Sequence, residues 1–145
     1  MNMKNLFIVA FVFCSTLSFS QNWVNNFETA KKIAKEENKN IIMIFSGSDW
    51  CAPCIRLDKN IWQSQEFKDE SKDNWVTMKL NFPRKKANQL PAEEEKHNRE
   101  LAEKYNKEGN FPLVVILTPE GKVLGKLGFK NVSPEEYIKL IKEYE

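Results

Sequence analysis

Ile41-Ile42-Met43-Ile44-Phe45-Ser46-Gly47-Ser48-Asp49-Trp50-Cys51-Ala52-Pro53-Cys54 is the stretch that decides the fold. Ile41 to Phe45 is an apolar run with no polar alternation, the pattern of a short strand buried on both faces. Ser46 to Asp49 is a small polar turn, and Ile55 to Phe67 has helical character. Cys51 therefore falls where a strand ends and a helix begins. Unpaired backbone N–H groups and the helix dipole favour a thiolate at such a place. Cys54 follows two residues after it, close enough to close a small reversible disulfide.

Outward from this centre the chain alternates between helical and extended patterns. Phe27, Ala30, Ile33 and Ala34 have helical spacing, and Asn38-Lys39-Asn40 ends that helix before the Ile41 strand. Ser64 can cap a second helical piece. Trp75 to Phe82 reads as the next strand, with Val76, Met78 and Leu80 on one face. Pro83 to Pro91 is a polar loop carrying Arg84, Lys85 and Lys86, and Ala92 to Lys107 is a charged helix with Leu101, Ala102 and Tyr105 as its apolar stripe. Leu113 to Leu117 and Lys122 to Leu127 are strands joined by the turn Thr118-Pro119-Glu120-Gly121. Ser133-Pro134-Glu135-Glu136 starts a last helix whose inner face is Tyr137, Leu140, Ile141 and Tyr144. The order is α-β-α-β-α-β-β-α. Strands joined by helices are expected to be parallel and the final pair to be a hairpin, giving an α/β fold with a mixed central sheet and helices on both faces.

Residues 1–20 are different material. Met1 to Lys4 is a short positive region, Leu6 to Phe13 is apolar, and Ser18 and Ser20 place small side chains before Gln21. This is the pattern of a cleaved secretory signal peptide, with residues 21–145 as one domain in the periplasm or secreted. An uncleaved anchor would need a longer apolar run than one broken by Ser15, Thr16 and Ser18. Cleavage removes Cys14 and leaves Cys51 and Cys54 as the sole cysteines. One pair closing so short a loop does little for stability, so its presence is better explained by reactivity.

The composition excludes several classes. With 145 residues and 41% hydrophobic content the chain can build one sizeable core. Net charge is +2, and no basic stripe is interleaved with aromatics, so nucleic-acid binding has no support. Structural zinc takes four ligands, whereas the mature chain offers one cysteine pair and the single His97, so no metal site is expected. His97 and the Arg84–Lys86 loop read as solvated surface.

The chain resembles the thioredoxin superfamily. The resemblance rests on the strand before the pair, Trp50-Cys51-Ala52-Pro53-Cys54, then Lys79-Leu80-Asn81, Phe111-Pro112, Gly121 and Gly128, in that order. It is similar more narrowly to exported thioredoxin-like proteins that carry Phe-Ser-Gly-Ser-Asp-Trp-Cys, some of them periplasmic disulfide reductases or isomerases. The resemblance implies a thioredoxin fold, Cys51 as nucleophile and Cys54 as resolving thiol. It also implies a cis Pro112 facing the disulfide, with Trp50, Phe111 and Pro112 contacting substrate and Ala52-Pro53 tuning the potential. Two departures stand out. Where thioredoxins carry a buried aspartate this chain has Ile44 or Phe45, so Cys54 needs another proton route, through water or Lys79. Phe111 replaces the usual threonine and makes the groove more apolar.

The expected function is thus an exported thiol–disulfide oxidoreductase, a reductase in preference to an isomerase or oxidase, because Ala52-Pro53 resembles the dipeptide of low-potential relatives. No cofactor is expected. The expected partners are disulfide-containing protein substrates and an unidentified electron donor at the membrane, with the chain itself a monomer. The competing expectation is a thioredoxin-fold module that binds peptides or acts as a chaperone, with secondary redox activity.

Overall fold

The Ile41 run forms the centre of the sheet. In the computed structural model, which describes residues 21–145, Asn40–Ser46 is strand β1, and Ile41 to Phe45 are all fully buried. Before it lies helix α1 (Phe27–Glu37), capped by Asn26 and ended by Asn38 in the left-handed region at φ 52°. After it come α2 (Ala52–Leu57), a π turn (Asp58–Trp62), and α3 (Gln65–Asn74) with Ser64 as its cap. Strand β2 (Trp75–Asn81), α4 (Ala92–Tyr105), β3 (Leu113–Leu117), β4 (Val123–Leu127) and α5 (Pro134–Lys142) complete the order. No helix among the described residues is long and apolar enough to cross a membrane. The expected leader, residues 1–20, lies outside the described residues.

The sheet order is β2-β1-β3-β4. Because β1 is flanked on both sides it needs apolar residues on both faces, which is why its sequence does not alternate. Met43 and Phe45 face a core shared with Phe27, Ala30, Leu101 and Tyr105, and Ile42 and Ile44 face one shared with Leu57, Trp62, Phe67, Tyr137 and Ile141. So α1 and α4 cover one face, and α2, α3 and α5 the other. The outer edge of β2 is partly closed by the lead-in, where Val24 bridges to Met78 and its N–H donates to Thr77 O at 2.9 Å.

One expectation is corrected. β1 and β2 are parallel, but β3 is antiparallel to β1 although a helix precedes it. The reason is the long connection from Phe82 to Phe111. Its two ends touch, with ring centroids 5.3 Å apart, so the chain returns to the end of the sheet it left. β3 must then enter where β2 exits. The consequence is functional: the ends of β1 and β2 and the start of β3 all meet at one edge.

His97 is also corrected. It is half-buried, not a freely solvated side chain, and its Nε2 accepts the Phe27 N–H at 3.1 Å across 70 residues of sequence. That bond satisfies one of the open donors at the start of α1. At the far end, Gly121 sits at φ 88° while its carbonyl accepts the Tyr105 hydroxyl at 2.7 Å. A side chain there would meet both strain and the Phe27 and Tyr105 rings. The last helix starts with a full capping box between Ser133 and Glu136. Ser133→Ala is expected to lower stability by about 1 kcal/mol, read as a shift of the urea midpoint with unchanged slope.

Candidate active site

Cys51 and Cys54 are joined in a disulfide, with Cα atoms 5.2 Å apart. Cys51 is the N-cap of α2, with extended backbone at φ −94° and ψ 99°. Its Sγ accepts the Cys54 N–H at 3.3 Å. Pro53, in the first turn, removes a donor that would have no helical partner there. In the reduced protein the same cap geometry aims an N–H and the positive end of the helix at the Cys51 sulfur, which favours its thiolate. Cys54 lies deeper: 1% of it is exposed against 5% for Cys51, and its Sγ accepts the Gly47 N–H at 3.5 Å. Both cysteines are buried, but their sulfurs are unequal in partner: Cys51 Sγ meets the start of α2 and Cys54 Sγ meets the Gly47 N–H.

The aromatic side of the site is built from three strand ends. Trp50 donates its indole N–H to Phe82 O at 2.7 Å and packs edge-on to Phe111 at 5.5 Å. Phe82 also stacks on Phe45, at 6.1 Å. Trp50, Phe82 and Phe111 are half-buried, so each keeps a face toward solvent. The Phe111–Pro112 peptide bond is cis, and Pro112 itself is buried at the start of β3.

Gly47 makes this arrangement possible. A Cβ there would fall well inside contact distance of the Trp50 indole. Gly47→Ala is expected to swing Trp50 out of its place, to break the bond to Phe82 O, and to shift the tryptophan emission to the red. Exchange with peptide substrates should fall by up to about 100-fold, the cost of displacing a positioning group by an ångström.

Sequence reasoning missed how the polar turn is used. The Asp49 carboxylate accepts the Arg84 N–H, the Lys85 N–H and the Asn88 side-chain amide, each at 3.0 Å. The Arg84 N–H, then Asn88 and the Lys85 N–H, hold its carboxyl below the ordinary value of 3.8. A depressed carboxylate pKa means the bonds are intact above 3.8 and are lost as acid protonates the group. Ser48 N–H adds a bond to Asn81 Oδ1 at 3.0 Å. The basic loop is thus fixed to the site through its backbone, while its three cationic side chains remain exposed.

Lys79 does not stand free as a proton carrier. Its ammonium pairs with the Asp58 carboxylate and lies 4.5 Å over the Trp23 ring. Asp58 ends α2 and donates its backbone N–H to Cys54 O, so the ion pair hangs one turn below the sheltered cysteine. Ile44 and Phe45 are fully buried and offer no acid. A cavity of about 670 Å³ runs along the outer edge of β2 and is lined by neither cysteine. Among the described residues, no group of three or more histidines, cysteines and carboxylates is placed to hold a metal.

A thioredoxin-like family model matches residues 22–119. The chain belongs to the thioredoxin-like family. Within that family it is 34% identical over 117 residues to the disulfide bond reductase DsbH of Chlamydia pneumoniae, covering 81% of this chain and 69% of the relative. The solved structure of a DsbH oxidoreductase superposes with a TM-score of 0.80 at 30% identity, covering 99% of this chain and 92% of that one. A thioredoxin from Thermus thermophilus shares the fold at a TM-score of 0.63 and 16% identity, covering 86% of each chain. Family and disulfide geometry together make this thioredoxin-like chain a thiol–disulfide oxidoreductase.

Proposed function

We propose that the chain is an exported reductase of disulfides in envelope or secreted proteins. The observation that carries this reading is the inequality of the two cysteines: Cys51 caps α2, and Cys54, one turn later, is the more deeply buried. In the reduced protein the Cys51 thiolate attacks one sulfur of a substrate disulfide. A Cys51–substrate bond forms, the substrate S–S bond breaks, and the departing thiolate takes a proton. Cys54 then loses its proton and attacks Cys51 Sγ. The Cys51–Cys54 bond forms and the second substrate thiol leaves, so two electrons have passed to the substrate. The substrate strand lies against Trp50, Phe111 and Pro112. A dithiol donor at the membrane restores the reduced pair.

The reductive direction is supported by Ala52-Pro53 between the cysteines and by the disulfide bond reductase named above. Residues 1–20 as a cleaved leader would deliver the domain to an oxidising compartment, where it works as a monomer. The test is directional. Pre-reduced protein mixed with a peptide disulfide should release peptide thiols, while oxidised protein mixed with the reduced peptide should leave it reduced. Fast oxidation of the peptide would contradict the proposal.

A further inference from the structure

The loop after β2 carries three consecutive exposed cations, Arg84, Lys85 and Lys86. Two tethers fix it beside the cysteines. Asp49 accepts two of its backbone N–H groups and the Asn88 side-chain amide, and Trp50, the neighbour of Cys51, holds Phe82 O. The Arg84 guanidinium lies 3.6 Å over the Trp50 ring, a cation–π contact at the edge of the site. A charged loop kept only for solubility does not require such anchoring.

None of the ion pairs among the described residues involves Arg84, Lys85 or Lys86. Two acids face the loop. Asp49 accepts from its backbone, and Glu95 pairs with Arg99 at 3.8 Å. Arg84, Lys85 and Lys86 outnumber these two carboxylates, which leaves the loop positive. Between the loop and α4 lies a cavity of about 300 Å³, lined by Phe82, Arg84, Lys86, Leu90, Glu95 and Asn98 among others. Apolar residues and cations share its lining, so it suits a side chain with an apolar stem and an anionic end. Phe82 also packs on Phe111, so the cavity and the aromatic face of the site share one residue.

We propose that this loop is a docking rim that selects substrate strands carrying aspartate or glutamate beside their disulfide cysteine. The inference rests on the reductase reading above and narrows its substrates. Fixed cations next to the reacting sulfur attract an acidic flank, repel a basic one, and lose their effect in salt.

The test uses two peptide disulfides of the same core, one flanked by glutamates and one by lysines. Steady-state rates are measured for the wild-type domain and for the Lys85→Ser/Lys86→Ser double variant, in low and high salt. The KM for the acidic peptide should lie about tenfold below that for the basic one, with kcat within about twofold. The gap should shrink to about twofold in the double variant and in high salt. Asp49→Asn, which keeps one acceptor oxygen but turns an amide donor toward either the Arg84 or the Lys85 N–H, should also narrow the gap and speed tryptic cleavage of the loop. Equal KM values in the wild type, a preference undiminished in the double variant, or an Asp49→Asn protein with neither change would overturn the inference. Reduction of both peptides without preference sinks only this inference, whereas reduction of neither sinks the reductase reading with it.

Discussion

Cys51→Ser is expected to reduce disulfide exchange to background, a loss of about 10³-fold or more, while Cys54→Ser should stall it halfway. The difference follows from the geometry. In the proposed mechanism Cys51, whose Sγ accepts the Cys54 N–H at the start of α2 and which is the less buried of the pair, is the sulfur that meets an incoming disulfide. Without it no bond to substrate forms. Without Cys54 the first step still runs, but no second sulfur releases Cys51, and a mixed disulfide accumulates toward one per protein. Mass spectrometry under non-reducing conditions reads both. A peptide-binding module with incidental redox chemistry would give another pattern: Cys51→Ser would keep full peptide affinity, and Cys54→Ser would trap nothing covalent. Equal activity loss in both variants, with no trapped species, would remove the unequal roles given to the two sulfurs.

Trp62→Ala is expected to destabilise the fold by about 3–5 kcal/mol and to lower Tm by more than about 10 °C. Trp62 ends the π turn after α2, is 2% exposed, and packs edge-on against Phe67 at 4.8 Å and Tyr137 at 5.4 Å. Those rings come from α3 and α5, so one side chain ties together the three helical pieces on that face. Tyr137 is itself fully buried and donates its hydroxyl to Gly128 O at 2.9 Å; burial pushes its phenol pKa up, so it stays neutral and keeps donating. Removing the indole leaves a cavity these fixed partners cannot fill. A Tm within about 2 °C of wild type would show that the face closes without it.

What the sequence revealed and what it hid divides along the range of the interactions. The β1 run, the Ser64 and Ser133 caps, the proline at the start of α5 and the Cys51 junction are local patterns, readable from neighbours within one turn or one strand. The alternation of Val76, Met78 and Leu80 likewise grouped them on one face of β2, which the structure packs against α1. The π turn was hidden because Leu57, Ile61 and Trp62 fit an ordinary helical stripe closely enough to read as one continuous helix. The reversal of β3 was hidden because it depends on where the Phe82–Phe111 connection ends, not on its composition. Asp49 with Arg84, His97 with Phe27 N–H, and Lys79 with Asp58 are polar contacts between residues 21 to 70 positions apart. No spacing rule links such residues. A short polar turn directly before a cysteine was the one hint that Asp49 had work to do.

The most direct test of the account is the reduction potential of the Cys51–Cys54 pair in residues 21–145, obtained by equilibration with defined thiol buffers. The reductase reading predicts a reversible two-electron couple near about −270 mV, the thioredoxin range. A value near about −120 to −180 mV, or no reversible couple at all, would contradict it.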